Sequence, residues 1–402
     1  MAVVSALANG FDLIFRLAYL IAAGIVGGFL WSRLSIAGME VEARRNLGAA
    51  QIGEEMEERF VVRNRSRFPK LALELEDLSD MPGHHHRMIG DFAAGQTRHW
   101  VARTECRRRG RFQLGPIAVH GSDPFGVFRW ERRMGPTETV VVYPRTVDLP
   151  DFALSGPEFI GEDRLRLRSP YLTPNASSVR DYIFGDSFGR IHWPSTARTG
   201  RLMVKEFDQE PGSRIWVALD LHGSVQAGRE EESTEEYGVT AAASVASKYL
   251  RSTRAVGLVA HGAESHLVSP AKGSRQLLRI LEELAAARAR GDIPLSELLV
   301  TQGQQLGHNS TLVIITPSND PVWLATVEYL GKSGVRPVLI YLEAAGFAPG
   351  RDGTSMLPRL AASGFPLYVV RAGDRLEEAL SMLRSGDGIA TGMRARVGVA
   401  VG

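Results

Sequence analysis

A chain of 402 residues is too long for one ordinary hydrophobic core and calls for at least two. Its 47 lysines and arginines nearly balance 45 aspartates and glutamates, so neither sign supplies a broad field, and nucleic acid is not an expected partner. The single cysteine, Cys106, excludes an intrachain disulfide and a paired-cysteine metal knuckle, and fits a reducing compartment.

From Phe11 to Trp31 only Asp12 and Arg16 are charged, and Leu17–Trp31 carries no charge at all. Roughly 20 apolar residues cross a bilayer, so residues 1–36 read as a membrane anchor with Arg16 snorkelling to an interface. A cleaved signal peptide would want a basic residue ahead of the apolar run, and none precedes Arg16. Arg33, Arg44 and Arg45 follow the run, whereas the residues before Phe11 are uncharged. The positive-inside tendency therefore predicts a single pass at the cell membrane with the main body cytoplasmic. A short re-entrant hairpin pairing Met1–Ala8 with the main run leaves the body on the same side.

Residues 37–146 change period. Phe60–Val62, Leu71–Leu75, His99–Arg103, Phe112–Leu114, Ile117–His120 and Thr139–Tyr143 are short apolar or alternating runs between Gly, Pro, Asn and Asp signals, which predicts an antiparallel β-sandwich. Asp123-Pro124-Phe125-Gly126 reads as a turn, with Asp capping, Pro fixing φ and Gly free to take positive φ. His84-His85-His86 raises a metal. Consecutive histidines beside Pro82-Gly83 do not converge as an i, i+4 pair does, so the expectation is a solvated loop. Cys106 precedes Arg107, Arg108 and Arg109, a setting that can lower a thiol's pKa, but the expectation is an ordinary half-buried strand thiol.

Residues 147–212 are long, rich in arginine and aromatics, and poorly periodic, as functional connectors tend to be. Asp181, Asp186, Glu206 and Asp208 alternate with the basic residues, which favours a network of guanidinium, carboxylate and indole over a phosphate-binding patch. Gly185-Asp186-Ser187-Phe188-Gly189 fits the G-x-S-x-G nucleophile pattern of hydrolases. The context is wrong for an elbow: Arg190–Gly200 holds Pro194 and no apolar stripe. Among Asp220, His261, His266 and His308 nothing singles out an acid and a base.

Residues 213–386 alternate strands and helices. Strands are expected at Arg214–Asp220, Ala255–His261, Ser310–Thr316, Arg336–Leu342 and Phe365–Arg371. Helices are expected at Glu232–Arg251, Ser274–Arg290, Pro321–Gly331 and Arg375–Arg384, ahead of a tail at 387–402. Such alternation implies a parallel, doubly wound α/β sheet whose ligands sit at the carboxyl ends of strands. Two of those ends carry oxygens, Asp220 with Ser224, and Thr316 with Ser318 and Asp320. No G-x-x-x-x-G-K-[ST] or G-x-G-x-x-G follows a strand, so a nucleotide is not expected.

The series Arg180-x-Tyr182, Gly185-Asp186, Arg190-Ile191-x-Trp193, Ala197-Arg198-Thr199-Gly200 and Leu202-x-Val204-x-Glu206, followed by a strand ending in Asp220, resembles the hallmark of the domain-of-unknown-function 58 (DUF58) family. Arg109-Gly110-Arg111-Phe112-x-Leu114-Gly115-Pro116 and Asp123-Pro-Phe-Gly resemble that family's β-rich N-terminal part. The resemblance implies a von Willebrand factor A-like domain, partnership with MoxR-type AAA+ ATPases in assembly or maturation of client proteins, and no established catalytic activity. Complete A-domains hold Mg²⁺ with D-x-S-x-S, a Thr and a second Asp. Here Asp220-Leu221-His222-Gly223-Ser224 puts imidazole, a poor Mg²⁺ ligand, at the first Ser, leaving Asp220, Ser224 and Asp320 as a degenerate candidate set. The expected function is a membrane-anchored binding or scaffold protein, not an enzyme; the alternative is a serine hydrolase using Gly185–Gly189.

Overall fold

The computed structural model describes residues 12–45, 50–154, 178–182, 191–206, 214–307, 310–348 and 355–383. The chain divides into two compact units, Met1–Pro144 and Arg145–Gly402.

The first unit opens with helix α1 (Asp12–Ile36), a 25-residue element about 37 Å long. Its span Phe15–Ile36 has a mean hydropathy of 1.5 and is long and apolar enough to cross a membrane. Nine strands follow: β1 (Met39–Arg45), β2 (Ala50–Gln51), β3 (Glu55–Asn64), β4 (Lys70–Ser79), β5 (Arg87–Phe92), β6 (Thr97–Glu105), β7 (Gly110–Ser122), β8 (Arg129–Met134) and β9 (Glu138–Tyr143). They form a three-stranded sheet, β1-β3-β6, and a second sheet, β2-β9-β7-β4-β5, with β8 also on β7. All the pairings are antiparallel except β2 with β9.

Strand β3 alternates buried and less buried positions along its length, the mark of a strand with one face on a core. Phe60 and Val62 from the first sheet meet Leu73, Leu75, Ile117 and Val119 from the second in one cluster. The end of α1 joins the same core. Ser32, Ser35 and Ile36 are buried, Phe29 meets Phe128 edge-on at 5.8 Å, and Lys70 Nζ donates to Leu34 O at 2.5 Å. The anchor expected to end at residue 36 is thus docked protein over its last turns. Arg33 lies over the Trp130 ring at 5.2 Å. Arg45, counted above as a juxtamembrane charge, is buried instead: its side chain is 1% exposed and pairs with Glu58 and Asp77, both at 2.8 Å.

The Asp123 turn forms as its residues predict. The carboxylate accepts from Phe125 N at 3.0 Å and Phe128 N at 2.6 Å, Gly126 takes φ +70°, and those backbone donors hold the acid below the usual carboxyl range. Cys106, just past β6, is an ordinary thiol as expected, though fully rather than half buried: desolvation, with Glu54 and Glu105 nearby, pushes it up, and the arginines do not activate it. One expectation fails here. His84 is not solvated: it packs inside, 1% exposed, its Nε2 3.1 Å from Asp77 Oδ2. The carboxyl of Asp77 is pushed up by burial, yet hydrogen bonds from His84 and Arg45 outweigh that and hold it down. A hydrophobicity pattern registers none of this, because the buried charges satisfy one another.

In the second unit a small antiparallel pair, β10 (Ser178–Asp181) and β11 (Met203–Glu206), flanks helix α2 (Trp193–Thr199). The main sheet uses β12 (Arg214–Leu219), β15 (Ala255–His261), β16 (Ser265–Ala271), β17 (Thr311–Thr316), β18 (Arg336–Leu342) and β19 (Leu367–Val370). Between β12 and β15 lies the short pair β13 (Gly228–Arg229) and β14 (Glu232–Ser233). The order in the main sheet is β16-β15-β12-β17-β18-β19, all parallel except the edge strand β16.

Helices α3 (Thr234–Arg251), α4 (Ser274–Ala286), α5 (Leu295–Leu306), α6 (Val322–Lys332), α7 (Leu357–Ala362) and α8 (Leu376–Ala379) complete the unit. Trp216, Ala218, Leu312, Ile314, Leu339 and Tyr341 pack with Leu298, Leu299, Trp323 and Val327 in one cluster. Gly238 lets α3 lie close to the sheet, since a Cβ there would meet Leu219 at 3.1 Å and Leu342 at 3.3 Å. Ser233 caps α3 by accepting from Glu236 N at 3.3 Å, a contact worth about 1 kcal/mol. The expected helices are present, although the last is shorter than read. The edge strand β16 and helices α2, α5 and α7 were not anticipated; α5 begins after a proline, and its inward face is a short Leu run with no clear period.

Candidate functional site

The strand sequence turns back on itself at β12: β15 and β16 lie to one side, β17, β18 and β19 to the other. Open α/β sheets bind ligands at such a reversal, outside the carboxyl ends. Asp220 follows β12 and Thr316 ends β17, so tertiary structure brings together two residues 96 apart, with Thr316 Oγ1 donating to Asp220 Oδ2 at 2.6 Å. Asp220 Oδ1 accepts from His222 N at 3.1 Å, and Gln226 Nε2 donates to the Asp220 carbonyl at 2.8 Å. Asp220 is 4% exposed; burial pushes its carboxyl up, with Thr316 and His222 pulling the other way.

The remaining oxygens serve their own loops. Thr316 Oγ1 accepts from Ser318 N at 2.9 Å, and Ser318 Oγ accepts from Asp320 N at 3.2 Å. Asp320 Oδ1 accepts from Val322 N at 3.0 Å and so closes the entry to α6, while Ser224 Oγ lies 3.1 Å from His222 Nδ1. Asp220, Ser224 and Asp320 do not fit Mg²⁺, which demands a near-octahedral shell of oxygens: two are spent on local caps and an imidazole stands beside the third. Thr316, the hydroxyl that reaches Asp220, is engaged as a donor to it.

A second polar group at the same end of the sheet joins His261, named above without partners, to Ser265 and Asp292, which the sequence did not single out. His261 Nδ1 lies 2.7 Å from Ser265 Oγ and its Nε2 lies 3.2 Å from Asp292 Oδ1. The order Ser, His, Asp is that of a hydrolase relay. His261 and Ser265 are, however, cross-strand partners at the neck of the β15–β16 hairpin, and Asp292 is 93% exposed. An acid in open water does not supply the desolvated field such a relay uses, so the contact closes the hairpin.

Of the signature residues, Arg180 lies in β10 and Glu206 in β11, paired across the ladder through Val204 and Ser178 respectively. Tyr182 N donates to Leu202 O at 2.8 Å, and Gly200 takes φ +69° to end α2, its N–H bonded to Thr196 O. Trp193, Ala197 and Arg198 are exposed, Trp193 by 64%; the indole is not locked inside a network as its composition suggested. Gly185, Asp186 and Arg190, and with them the Gly185–Gly189 loop, lie outside the described residues.

Residues 178–316 match the family described as "Protein of unknown function DUF58". The DUF58 match opens with β10 and closes on Thr316, so it contains the signature series, Asp220 and its hydroxyl partner. A curated relative, "Uncharacterized protein YeaD" of Bacillus subtilis (strain 168), is 25% identical over 269 residues, 63% of this chain; the chain spans 64% of that protein's length. Among solved structures, the CARDB domain of a Pyrococcus furiosus protein is 11% identical, covering 26% of this chain and 94% of that one at a TM-score of 0.21. The C-terminal domain of wzt is 8% identical, covering 27% and 75% at a TM-score of 0.22. Likeness at this level carries no argument about function.

A cavity of about 570 Å³ lies at the other end of the sheet, between the exit of α6 at Gly331 and Lys332 and the entries of β18 and β19 at Arg336 and Pro366. It opens at the amino ends of the strands, away from the Asp220–Thr316 pair.

Proposed function

We propose that this protein is a membrane-anchored, non-enzymatic binding or scaffold protein whose second unit is a von Willebrand factor A-like domain. It acts with a MoxR-type AAA+ ATPase in the assembly or maturation of client proteins. The observation that carries the reading is the sheet reversal at β12 and β17, where a buried acid and a threonine meet with no phosphate-cradling glycine loop in the sequence after either strand. A site that keeps its acid bonded within its own chain suits recognition of a macromolecule better than turnover of a small substrate. Exposed Trp193 and Arg198, both on α2 and within the DUF58 span, are of the residue types that dominate protein interfaces. Helix α1 supports anchoring by length and apolarity, and Arg33 at its docked end favours a cytoplasmic body.

Affinity capture of the detergent-solubilised full chain with ATP present tests this. An AAA+ ATPase is expected with the native chain, and Trp193→Ala combined with Arg198→Ala lowers its recovery at least about tenfold. Repeated capture without such an ATPase overturns the partnership.

A further inference from the structure

We infer that Glu58, His84 and His86 form a binding site for a divalent transition-metal ion of the zinc class inside the first unit. One ring nitrogen of His84, one of His86 and a Glu58 carboxylate oxygen lie within 4.8 Å of one another. The ligands converge from β3, which carries Glu58, and from the loop ahead of β5, which carries both histidines. This site is separate from Asp220 and independent of the proposed partner.

The geometry of the cluster carries the argument. Asp77, held by both contacts of Arg45 Nη2 at 2.8 Å, lies 3.1 Å from His84 Nε2, which favours the tautomer that donates from Nε2 to that carboxylate. His84 Nδ1 then presents a lone pair, and it faces Glu58 Oε2 at 3.3 Å. Both side chains are 0% exposed, and Glu58 Oε2 has no hydrogen-bond partner. Thr104 Oγ1 lies 3.0 Å from His84 Nδ1 and 2.7 Å from His86 Nε2, but a hydroxyl has one proton to give. Glu58 Oε2 is thus left without a hydrogen-bond partner in a dry interior beside two imidazoles, an arrangement that a cation between them would satisfy.

A metal ion fits the geometry. Zinc takes N and O ligands at about 2.0–2.1 Å in a tetrahedron, whose edges are then about 3.3–3.4 Å. The Glu58–His84 edge is already 3.3 Å. His86, half-buried, completes the set by moving inward from within 4.8 Å, and Thr104 Oγ1, in contact with both imidazoles, stands where a fourth ligand would. The Arg45–Asp77–His84 chain is the outer support that fixes tautomer and ring orientation at metal-bound histidines. Two imidazoles select against Mg²⁺ and Ca²⁺, which want oxygen.

The test titrates the chelator-stripped, detergent-solubilised full chain with Zn²⁺ alone and with Co²⁺ alone. One equivalent of Zn²⁺ is expected, and Co²⁺ should give the strong visible absorption of a four-coordinate ion. Glu58→Gln and His86→Ala should each weaken Zn²⁺ binding at least about tenfold. His85→Ala, altering the exposed neighbour, should leave it unchanged; circular dichroism checks that each variant folds, and His86→Ala, the less buried change, serves if Glu58→Gln does not. Substoichiometric binding, equal loss in His85→Ala, or an NMR signal for a proton on His84 Nδ1 at neutral pH with Zn²⁺ present would each overturn the site.

Discussion

Asp220 shows how much a single residue depends on what surrounds it. In the unfolded chain it ionises near the ordinary carboxyl value of 3.8, whereas in the fold burial raises its pKa, with Thr316 and the His222 amide opposing. Below 3.8 both states hold the proton and the contribution to stability is complete. As the pH rises the unfolded state ionises first, and that contribution is lost through the folded pKa. Asp220→Asn removes the loss while keeping an acceptor for His222 N. The urea midpoint of the second unit, followed by tryptophan fluorescence between pH 4 and 8, should therefore favour the Asn variant increasingly as the pH rises. A difference that stays constant with pH would disprove this account.

At the scale of elements, the contact to weigh is that of α1 with the first unit's sheet. Gly121 in β7 permits it: a Cβ there would lie 2.1 Å from Ser35 Oγ and 2.9 Å from Ile36 Cγ1. Ser35 cannot simply turn away, because its hydroxyl donates to Ser32 O at 2.7 Å in a buried turn. Gly121→Ala should cost about 1–3 kcal/mol by overpacking, read as a lower urea midpoint for the β unit. An unchanged midpoint would mean the helix end contributes nothing to that core.

For the chain as a whole, the docked helix end sets where a bilayer would sit. With Ser32, Ser35 and Ile36 packed into the β unit, roughly 20 residues of α1 remain for a crossing, near the minimum. Phe125 and Val127, 79% and 69% exposed, belong to the loop whose Asp123 lies against Gly28 of the helix. Trp130, near Phe29 at 6.2 Å, and Arg33 are residue types that favour a headgroup region. The proposed anchoring therefore places this loop at the membrane surface. Phe125→Trp in reconstituted vesicles should be quenched by lipids brominated at shallow acyl positions. Its absence would place the loop in water and weaken the anchoring proposal.

Residue order alone was enough for the features that rest on short-range physics. The apolar run of α1, the alternation in β3, the Asp123 turn and the buried strands β12 and β17 follow from period, turn chemistry and burial of both faces. What only tertiary structure decided are contacts between residues far apart in the chain. Thr316 reaches Asp220 because β17 returns beside β12, and Arg45 leaves the membrane side because β1 lies opposite β3 and brings it to Glu58 and Asp77. His84 and His86 are adjacent to a solvent-facing His85, so local sequence marks a polar loop. Their inward turn is set by partners on β3, β4 and β6, whose charge and hydrogen bonds offset a desolvation that no local pattern records.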